Sequence, residues 1–591
     1  DYKAENGLDC RNYGCLDGLP EAKAFFAPML GVKPEDVIVC GNSSLNIMYW
    51  AMSLAMTNGV MGSKPWGKYD KVKVLCPVPG YDRHFAVSEF LGMELVNVPM
   101  KEDGPDMDIV EKLVAEDDTI KAIWCVPMYS NPGGVVYSDA VVKRFAALKP
   151  KAKDFRIFWD NAYCVHHLVD NPPVQANLLE EAKKRDHNKL GRELEYFTTV
   201  DVIGQGLPVL LPKGARVVQL LQRWVEDVEQ AHGCLLTKTP LMAKRELYKI
   251  SGHWDHYLDG MFVLGDPQDE TKECFALRPM TCPFQYQVYL NRQRSYRDLP
   301  MRLTETSTLF RNEDSGEKHG LIRVLQFTIS EGHYILRPDQ LEDEFKNCLQ
   351  LAKYFLDTVG LLDDCTFRFS QWDPANPGNK YEGTPEQWEE AQRVMGNILD
   401  HLGLKYEIGI DEAAFYGPKL DIQYKNVFGK EDTLVTIQID MLLAERFGMY
   451  YKDKDGQKKL PYIIHRTSLG CYERTLAYMI EHFGGAMPLW IAPEQVRLVP
   501  IADRHLDFAY EVKKELEAAG LRVEVDSRAE KVGWKIRQAT MEKVPYMLTV
   551  GDKECEEKTV AVRKRNGEDL GSMTVAELTA KLVEEVRTKQ K

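Results

Sequence analysis

Residues 310–330 read FRNEDSGEKHGLIRVLQFTIS. Arg311 and Glu313 precede a loop rich in glycine and charge, and the apolar run at residues 321–330 predicts a strand that contains Arg323. Because a guanidinium offers two parallel N–H donors, an arginine on each side of such a hairpin can hold a triphosphate from two directions. On spacing alone, a surface hairpin with solvated charges is the commoner explanation.

A second arginine pattern lies at residues 470–474, GCYER, where apolar positions that follow at helical spacing predict the start of a helix. Arg474 would stand in the first turn, although the helix dipole favours negative charge there. A phosphate bound at that end would compensate. Taken alone, the spacing is more commonly that of an ordinary interface arginine.

Around these patterns the chain divides into four segments. In residues 201–490 the expected strands are longer and carry mixed polar and apolar patterns, such as 321–330 and 434–441, which predicts a large antiparallel sheet. Residues 491–591 alternate shorter strands and helices and have the size of a separate domain. The elements expected there are strands at 495–501, 522–526 and 546–550 and helices at 508–519, at 533–542 and from 575.

The first third of the chain has a different pattern. Residues 1–178 alternate short apolar runs with helical stretches, which predicts a parallel sheet with helices on its faces. We assign the charged residues 179–200 to a connecting helix. The strands expected in this part are 37–40, 72–76, 122–126 and 156–159.

The composition is that of a soluble globular protein, with 44% hydrophobic and 28% charged residues. The net charge of -14 means that a nucleic-acid contact must use a local basic face. The 13 cysteines include no CxxC pair, which indicates reduced thiols and a cytoplasmic location. We find no signal peptide and no apolar run of about 18 residues.

Three stretches together resemble the signature motifs of class II aminoacyl-tRNA synthetases: residues 238–240 (KTP) for motif 1, 310–313 (FRNE) for motif 2 and 470–474 for motif 3. From about residue 180 to the C-terminus the amino-acid sequence resembles threonyl-tRNA synthetase in particular. The segments that carry this closer resemblance are LPKG at 211–214, GHW at 252–254, RPMTCP at 278–283, AFYGPK at 414–419 and IHR at 464–466.

The resemblance implies an α+β catalytic domain, built on an antiparallel sheet, that activates threonine with ATP and esterifies it to tRNA(Thr). Arg311 would hold the α-phosphate, Glu313 the adenine, and Arg474 would stack on adenine and meet the γ-phosphate. Arg323 and Lys419 would assist the α-phosphate and the adenylate. Positive groups suit this chemistry because they neutralise charge on phosphoryl oxygens, and Mg²⁺ is expected with ATP.

Cys282, His333 and His465 match the family's zinc ligands. Their separations of 51 and 132 residues (282 to 333, 333 to 465) do not indicate a metal site by themselves. Three protein ligands leave zinc an open position, to which threonine can offer its amine and hydroxyl. A site built for the hydroxyl rejects valine strongly, whereas a purely apolar pocket rejects such an isostere poorly.

The remaining catalytic positions also follow from the resemblance. Glu331, Tyr416 and Gln438 would bind threonine, although the family usually has aspartate where Glu331 stands. His253 matches a histidine proposed to help deprotonate the terminal ribose hydroxyl, and a structural hydrogen bond is the alternative. The segment Pro283-Phe284-Gln285 departs from the commoner Pro-Gly-His and indicates a variant branch.

Residues 491–591 resemble the α/β anticodon-binding domain of class IIa synthetases. Arg537, Glu554 and Arg563 fall on positions that read anticodon bases in the threonyl enzyme. Arginine forks and a carboxylate can read exposed base edges of a single-stranded loop. A solvated charged face is the alternative for each of the three residues.

Residues 1–180 resemble an incomplete large domain of a fold-type I pyridoxal-phosphate aminotransferase. The family's Schiff-base lysine and small domain are not found, so a functional pyridoxal phosphate is not expected. Aminotransferase activity and a non-catalytic tRNA-binding fusion are therefore the disfavoured alternatives. The resemblance implies cofactor contacts for Ser43, Ser44, Tyr81, Asn131, Asp160 and Tyr163.

The expected partners are tRNA(Thr), ATP, L-threonine and a second copy, as a homodimer through the catalytic domain. No membrane contact is expected. The family's usual ubiquitin-like and editing domains have no counterpart in this text, so we expect no removal of mischarged serine.

Overall fold

A computed structural model describes residues 3–4, 7, 9, 16–167, 177, 184–314, 316–375, 381–427 and 430–590. The chain divides into two compact units, one built mainly from Asp1–Lys184 and the other from Arg185–Val427 with Glu431–Lys591. Within the described ranges, no helix is both long and apolar enough to cross a membrane.

The first unit is an α/β fold. Its described elements are strands β1 (Lys73–Val78), β2 (Glu94–Lys101), β3 (Gly104–Pro105), β4 (Ile120–Cys125) and β5 (Arg156–Trp159) and helices α1 (Pro20–Leu30), α2 (Ser44–Asn58), α3 (Asp82–Phe90), α4 (Met107–Glu116) and α5 (Asp139–Ala146). The sheet order is β3-β2-β1-β4-β5, with parallel pairing throughout except between β2 and β3.

Both faces of this sheet are covered. Leu75 of β1 and Ile123 of β4 pack with α4 and α5, whereas the alternate residues Val74 and Ala122 pack with α2 and α3. Three of the four strands expected here are confirmed, within three residues at each end. The expected strand at 37–40 is wrong: Val39 N–H bonds to Asp17 O in a loop, and no strand among the described residues pairs with the segment.

The second unit begins with sixteen strands and nine helices in its described part. The strands are β6 (Phe197–Thr198), β7 (Val209–Leu210), β8 (Leu235–Leu236), β9 (Met242–Lys244), β10 (Val263–Leu264), β11 (Phe275–Leu277), β12 (Arg294–Ser295), β13 (Met301–Phe310), β14 (Gln326–Leu336), β15 (Cys365–Gln371), β16 (Glu407–Ile410), β17 (Lys419–Lys425), β18 (Glu431–Asp440), β19 (Tyr451–Lys452), β20 (Lys458–Lys459) and β21 (Tyr462–Cys471). The helices are α6 (His187–Glu193), α7 (Pro212–Ala231), α8 (Arg245–Ile250), α9 (His253–His256), α10 (Cys282–Leu290), α11 (Leu341–Thr358), α12 (Pro385–His401), α13 (Leu443–Arg446) and α14 (Tyr472–Phe483).

The expected antiparallel sheet is confirmed. Eight strands run in the order β16-β15-β17-β18-β21-β14-β13-β8, and only the outermost pair at each edge is parallel. Side chains of α7, α11 and α14, such as Leu221, Phe345 and Leu476, form the main core against this sheet. Because those helices cover one face, the other face is left to carry the site.

Two expectations in this region need correction. The strand predicted at 321–330 begins only at Gln326, because residues 321–325 form a turn closed by a bridge between His319 and Arg323. The connecting helix predicted at 179–200 is limited to α6 in its described part and is followed by β6, while residues 178–183 lie outside the described residues.

The last part of the unit is a second α/β layer. Its elements are strands β22 (Val496–Pro500), β23 (Val523–Val525), β24 (Tyr546–Val550), β25 (Thr559–Lys564) and β26 (Asp569–Thr574) and helices α15 (Leu506–Ala518), α16 (Val532–Met541), α17 (Asp552–Glu557) and α18 (Val575–Arg587). The sheet order is β23-β22-β24-β25-β26 around a core of its own. The expected strands and helices are present, but the antiparallel pair β25–β26 was not anticipated.

Candidate functional site

A cavity of about 540 Å³ opens on the face of the large sheet opposite the core helices. It draws residues from β14, β17, β18 and β21 and from the segments before β14 and β17. Ten of the residues selected from the sequence line it: His253, Arg311, Glu313, Arg323, Glu331, Tyr416, Lys419, Gln438, His465 and Arg474.

A single cross-strand row places several of these side chains together. His333 on β14 is directly opposite His465 on β21, which is opposite Gln438 on β18, which in turn is opposite Lys419 on β17. Directly paired residues of antiparallel strands point to the same face of a sheet. Residues up to 132 positions apart along the chain (333 to 465) therefore become neighbours on the cavity face.

Cys282, at the start of α10, lies close to two members of this row, His333 and His465. Each residue offers one ligand atom, and the three atoms lie within 4.8 Å of one another. All three side chains are buried. His333 Nε2 is buried with no hydrogen-bond partner among the described residues, which is the condition of a nitrogen with a lone pair available to a metal.

The partners of the two imidazoles are consistent with metal binding. Asp440 Oδ2 lies 2.9 Å from His465 Nε2, and because a carboxylate only accepts, that nitrogen carries the proton and Nδ1 keeps its lone pair. Asp440 Oδ1 in turn accepts the N–H groups of Leu442 and Leu443, each at 2.9 Å. Burial, followed by His465 and Arg466, lowers the pKa of His333 well below its ordinary value, so the imidazole is neutral.

The thiol is consistent with the same use. Burial, followed by the charges of Glu331 and Asp440, raises the pKa of Cys282 well above its ordinary value. A divalent cation is the positive charge that would favour the thiolate at this position. One sulfur and two imidazole nitrogens form a donor set that suits zinc, with a position left open.

A second group of possible ligands, Asp186, His187 and His319, does not have this character. His187 Nδ1 lies 2.7 Å from Glu481 Oε1, and His187 Nε2 accepts the Leu321 N–H at 3.3 Å. Both ring nitrogens are therefore used in hydrogen bonds that join α6 to α14 and to the turn before β14.

Arg311 and Arg323 lie on the two sides of the motif 2 loop, as expected. The Arg311 guanidinium lies 5.2 Å from the Phe327 ring, and its Nε is buried without a partner among the described residues. Arg323 Nη2 lies 2.8 Å from Glu313 Oε2 and 2.6 Å from Glu317 Oε2. Arg311 thus has an unused N–H donor at Nε, whereas Arg323 is held by two carboxylates at the cavity rim.

Arg474 lies in the first turn of α14, as predicted. Its Nε donates to Ile322 O at 2.9 Å and its Nη1 to Thr433 O at 2.5 Å, so the guanidinium is fixed from two sides. Gly470 makes this turn possible: its φ is +78°, and a Cβ there would lie 1.9 Å from Leu434 O. No larger residue fits between β18 and the start of α14.

The residues selected for the amino-acid pocket cluster on the metal-ligand side of the cavity. Gln438 Nε2 donates to Gly417 O at 3.0 Å, and the Tyr416 ring lies 4.8 Å from the His465 ring. Glu331 Oε2 accepts the Thr281 N–H at 3.2 Å, one residue before Cys282. At the far end of the cross-strand row, Lys419 Nζ lies 2.8 Å from Asp421 Oδ2.

His253 is the first residue of α9 and is buried at the cavity wall. Its Nδ1 lies 2.8 Å from Ser251 Oγ. Burial, with smaller contributions from His465, Arg311 and Arg446, lowers its pKa to about 3. The imidazole is therefore neutral at physiological pH.

The three residues selected for RNA contact lie in the last α/β layer on separate elements. Arg537 is exposed on α16, Arg563 is exposed on β25, and Glu554 is half-buried on α17. Glu554 Oε2 accepts the Gly551 N–H at 2.9 Å, so part of its hydrogen-bonding capacity is used within the fold.

In the first unit, Asp160 follows β5 and its Oδ2 lies 2.9 Å from His84 Nε2. Asn131 Nδ2 donates to the Tyr163 hydroxyl at 3.4 Å. Tyr81 and Ser43 are the N-caps of α3 and α2, and Ser44 is the first residue of α2. Tyr81, Asn131, Asp160 and Tyr163 follow strands of the sheet, whereas no strand precedes Ser43 and Ser44 in the described residues.

Two residues that contact the possible metal ligands His333 and His465 were not selected as site residues. Asp440 gave no signal, because it ends a strand like many carboxylates. Gln285 was noticed only as a departure from the family pattern, although its Oε1 lies 2.6 Å from His333 Nδ1.

The fold and the site define a class II aminoacyl-tRNA synthetase core. Residues 262–483 match the family model described as tRNA synthetase class II core domain (G, H, P, S and T), and residues 495–585 match the Anticodon binding domain. A prolyl-tRNA synthetase structure from Cryptosporidium parvum, complexed with L-proline and AMP, has a TM-score of 0.52 at 19% identity over 68% of this chain and 77% of that chain, a likeness of fold alone.

More similar proteins narrow the family. The Threonine--tRNA ligase of Clostridium perfringens (strain SM101 / Type A) is 62% identical over 412 residues, or 70% of this chain and 64% of that protein. The Geobacillus kaustophilus (strain HTA426) Threonine--tRNA ligase is 46% identical over 414 residues, or 70% of this chain and 63% of that protein. The crystal structure of the RNA binding domain of threonyl-tRNA synthetase from Cryptosporidium parvum Iowa II is 31% identical, with a TM-score of 0.63 over 68% of this chain and 98% of that chain. The chain belongs to the threonyl-tRNA synthetase family.

The family covers only part of the molecule. The chain spans 64% of the length of the Clostridium perfringens relative, and residues 1–218 match the family model described as Aspartate amino-transferase. That match extends past Lys184, although Phe197 and Val217 belong to the core of the second unit. The expected fusion of two unrelated families is therefore confirmed.

Proposed function

We propose that this chain activates L-threonine with ATP and ligates it to tRNA(Thr), yielding threonyl-tRNA, AMP and diphosphate. One observation carries the proposal: a thiol and two imidazoles able to share a metal ion lie together, and one of them, His465, lines a cavity that is also lined by the motif 2 and motif 3 arginines. The sequence identity of 46–62% to proteins named Threonine--tRNA ligase supports the proposal.

The cationic side of the cavity is proposed to bind ATP with Mg²⁺. Arg311, whose Nε lacks a partner in the described chain, would hold the α-phosphate. Arg323 and Lys419 would assist there and at the adenylate, because fixed positive groups stabilise charge that develops on phosphoryl oxygens. Glu313 would contact adenine, and Arg474 would stack on it and meet the γ-phosphate.

The opposite side is proposed to bind threonine. Cys282, His333 and His465 would hold one zinc ion, which supplies a Lewis-acidic position for the amine and hydroxyl of the amino acid. Glu331, Tyr416 and Gln438 would contact the bound threonine. His253 would accept a hydrogen bond from the terminal ribose hydroxyl of tRNA through its neutral imidazole and so help to deprotonate it during transfer.

tRNA binding would use Arg537, Glu554 and Arg563 for anticodon bases.

A homodimer through the catalytic domain is supported by β8, an edge strand on which Leu235 and Leu236 are more than half exposed. We further propose a cytoplasmic location, and none of the described cysteines forms a disulfide. The domain boundaries at 178, 200 and 490 are part of the proposal, and limited proteolysis tests the first two by the start of the stable fragment.

ATP–diphosphate exchange tests the activation step. The full chain should exchange with threonine and should not exchange with valine. Cys282→Ala should abolish the threonine-dependent signal, and a zinc chelator should do so reversibly in the unsubstituted chain. Cys348→Ala is the matched control, because this buried cysteine lies in the helical core away from the cavity. Exchange that survives Cys282→Ala, or that never depends on threonine, would overturn the proposal.

A further inference from the structure

We propose that Gln285 is a positioning residue that fixes the tautomer of the metal-ligand histidine His333. The inference rests on the proposed function, because it concerns how this chain prepares His333 for the metal. Gln285 lies three residues after Cys282 in α10, so the two side chains share a face of the helix. It is fully buried, and its Oε1 lies 2.6 Å from His333 Nδ1.

The direction of the Gln285 amide determines which of its atoms faces His333, because rotation of the amide group exchanges the positions of its oxygen and its nitrogen. Gln285 Nε2 lies 2.8 Å from Thr237 Oγ1. Thr237 has one hydroxyl proton, and its Oγ1 lies 3.1 Å from Thr304 O and 3.2 Å from Glu305 Oε2, which both only accept. In this orientation the proton goes to one of these acceptors and Thr237 accepts from the amide nitrogen, whereas the reverse orientation would place an N–H on His333 Nε2, which is buried without a partner among the described residues.

This orientation determines the protonation of His333. Because the Gln285 oxygen faces the imidazole, His333 Nδ1 must carry the proton and donate it. A neutral imidazole has one N–H, so Nε2 retains its lone pair. Nε2 is the nitrogen that is buried without a partner in the described chain. With the opposite amide orientation, Nε2 would carry the proton and could not bind a metal.

The chain of contacts begins next to β8, because Thr237 follows Leu236 directly. Thr237 N–H also donates to Thr304 O at 2.8 Å, which ties the segment to β13. The segment after the edge strand thus sets the direction of the Gln285 amide, and the amide sets the tautomer of His333. Partners of this kind typically change metal affinity by about 10- to 100-fold.

Zinc retention by the full chain tests the inference without an activity measurement. Zinc content is measured after purification, and zinc release to a chromogenic chelator gives the affinity. Gln285→Leu should weaken retention by about 10- to 100-fold, because the acceptor for Nδ1–H is lost. Gln285→Glu should retain zinc, because a carboxylate oxygen still accepts from Nδ1 and can accept the Thr237 proton.

Variants at Thr237 test the direction of the amide. Thr237→Val should weaken retention, because it removes the acceptor that orients Gln285, and Thr237→Ser should restore it. In the cobalt-substituted chain, Gln285→Leu should alter the visible absorption bands, whereas Thr237→Ser should leave them as in the unsubstituted chain.

Gln495→Leu is the matched control for damage to the fold. Gln495 is also fully buried, and its amide bonds to Leu489 O and to the Arg522 N–H in the last α/β layer. It should retain zinc as the unsubstituted chain does. Equal retention by Gln285→Leu and the unsubstituted chain, or equal losses in Gln285→Leu and Gln495→Leu, would overturn the inference alone. An unsubstituted chain that binds no zinc would overturn the zinc part of the proposed function as well.

Discussion

Arg323 and Glu313 form an ion pair at the rim of the cavity, with 2.8 Å between Nη2 and Oε2. The same nitrogen lies 2.6 Å from Oε2 of Glu317. In this state a guanidinium proposed to assist the α-phosphate is already held by two carboxylates. ATP must therefore compete with these carboxylates for the arginine.

Glu317→Gln should lower the KM for ATP, because it removes one competing charge and a repulsion toward phosphate. A pair this exposed contributes up to about 1 kcal/mol, so the decrease should be at most about fivefold. It should shrink as salt is added, because salt screens exposed charges. Threonine-dependent exchange at varied ATP measures it.

Glu390→Gln is the control for this change, since Glu390 is an exposed carboxylate paired with Arg393 and lies outside the cavity. An unchanged or increased KM for ATP in Glu317→Gln would show that the pair does not oppose nucleotide binding.

The burial of His253 predicts a dependence of stability on pH. Its pKa is about 3 in the folded chain and about 6.5 when unfolded. Below pH 6.5 the unfolded chain binds a proton that the folded chain does not, so stability falls as the pH drops from 6.5 toward 3. At pH 5 this amounts to roughly 2 kcal/mol, from 1.5 units at about 1.36 kcal/mol each.

His253→Gln should remove this contribution while keeping a polar group beside Ser251. Between pH 7 and pH 5, the unsubstituted chain should therefore lose about 2 kcal/mol more stability than the variant. Urea unfolding of both proteins at the two pH values measures the difference. Identical pH dependence in the two would contradict the low pKa of His253.

A buried ion pair connects the segment after β11 to β13. Arg278 Nη1 lies 3.0 Å from Glu305 Oε1, and both side chains are fully buried. Glu305 also accepts the Thr239 N–H at 3.2 Å. Glu305→Ala should destabilise the second unit by about 3–5 kcal/mol, because it leaves a buried positive charge without a partner.

The double variant Arg278→Met with Glu305→Leu tests the cause. If the uncompensated charge is responsible, thermal unfolding should show most of the lost stability restored, because no buried charge remains. If loss of packing were responsible, the double variant should unfold at least as readily as Glu305→Ala.

The sequence predicted those strands that are mostly apolar and buried, such as β4 and β24. It did not predict that residues 37–40 lie in a loop, because the short apolar run says nothing about whether a neighbouring strand is available to pair. It also placed the start of β14 five residues too early. Leu321 and Ile322 are apolar and buried, but they lie in a turn that precedes the strand.

The site was accessible from the sequence only through the family resemblance. The cross-strand row from His333 to Lys419 depends on long-range pairing, which local spacing does not encode. The hydrogen bonds of Gln285 and Asp440 depend on the same pairing, so neither residue was recognisable as a partner of a metal ligand. The roles of the ten cavity residues stay predictions for experiment.

Substitution of Arg537 should separate RNA recognition from amino-acid activation. Arg537 is exposed on α16, in a layer with its own core, so its removal should not disturb the cavity. Arg537→Ala should lower kcat/KM for tRNA in aminoacylation by about 5- to 150-fold, which corresponds to about 1–3 kcal/mol for a base contact. ATP–diphosphate exchange should be unchanged, because that step needs no tRNA contact.

Arg587→Ala is the matched control, since this exposed arginine of the same layer pairs with Glu584 on its own helix. If both variants lowered aminoacylation equally, general positive charge and not base reading would explain the effect. If Arg537→Ala lowered neither reaction, the anticodon role of this residue would be wrong.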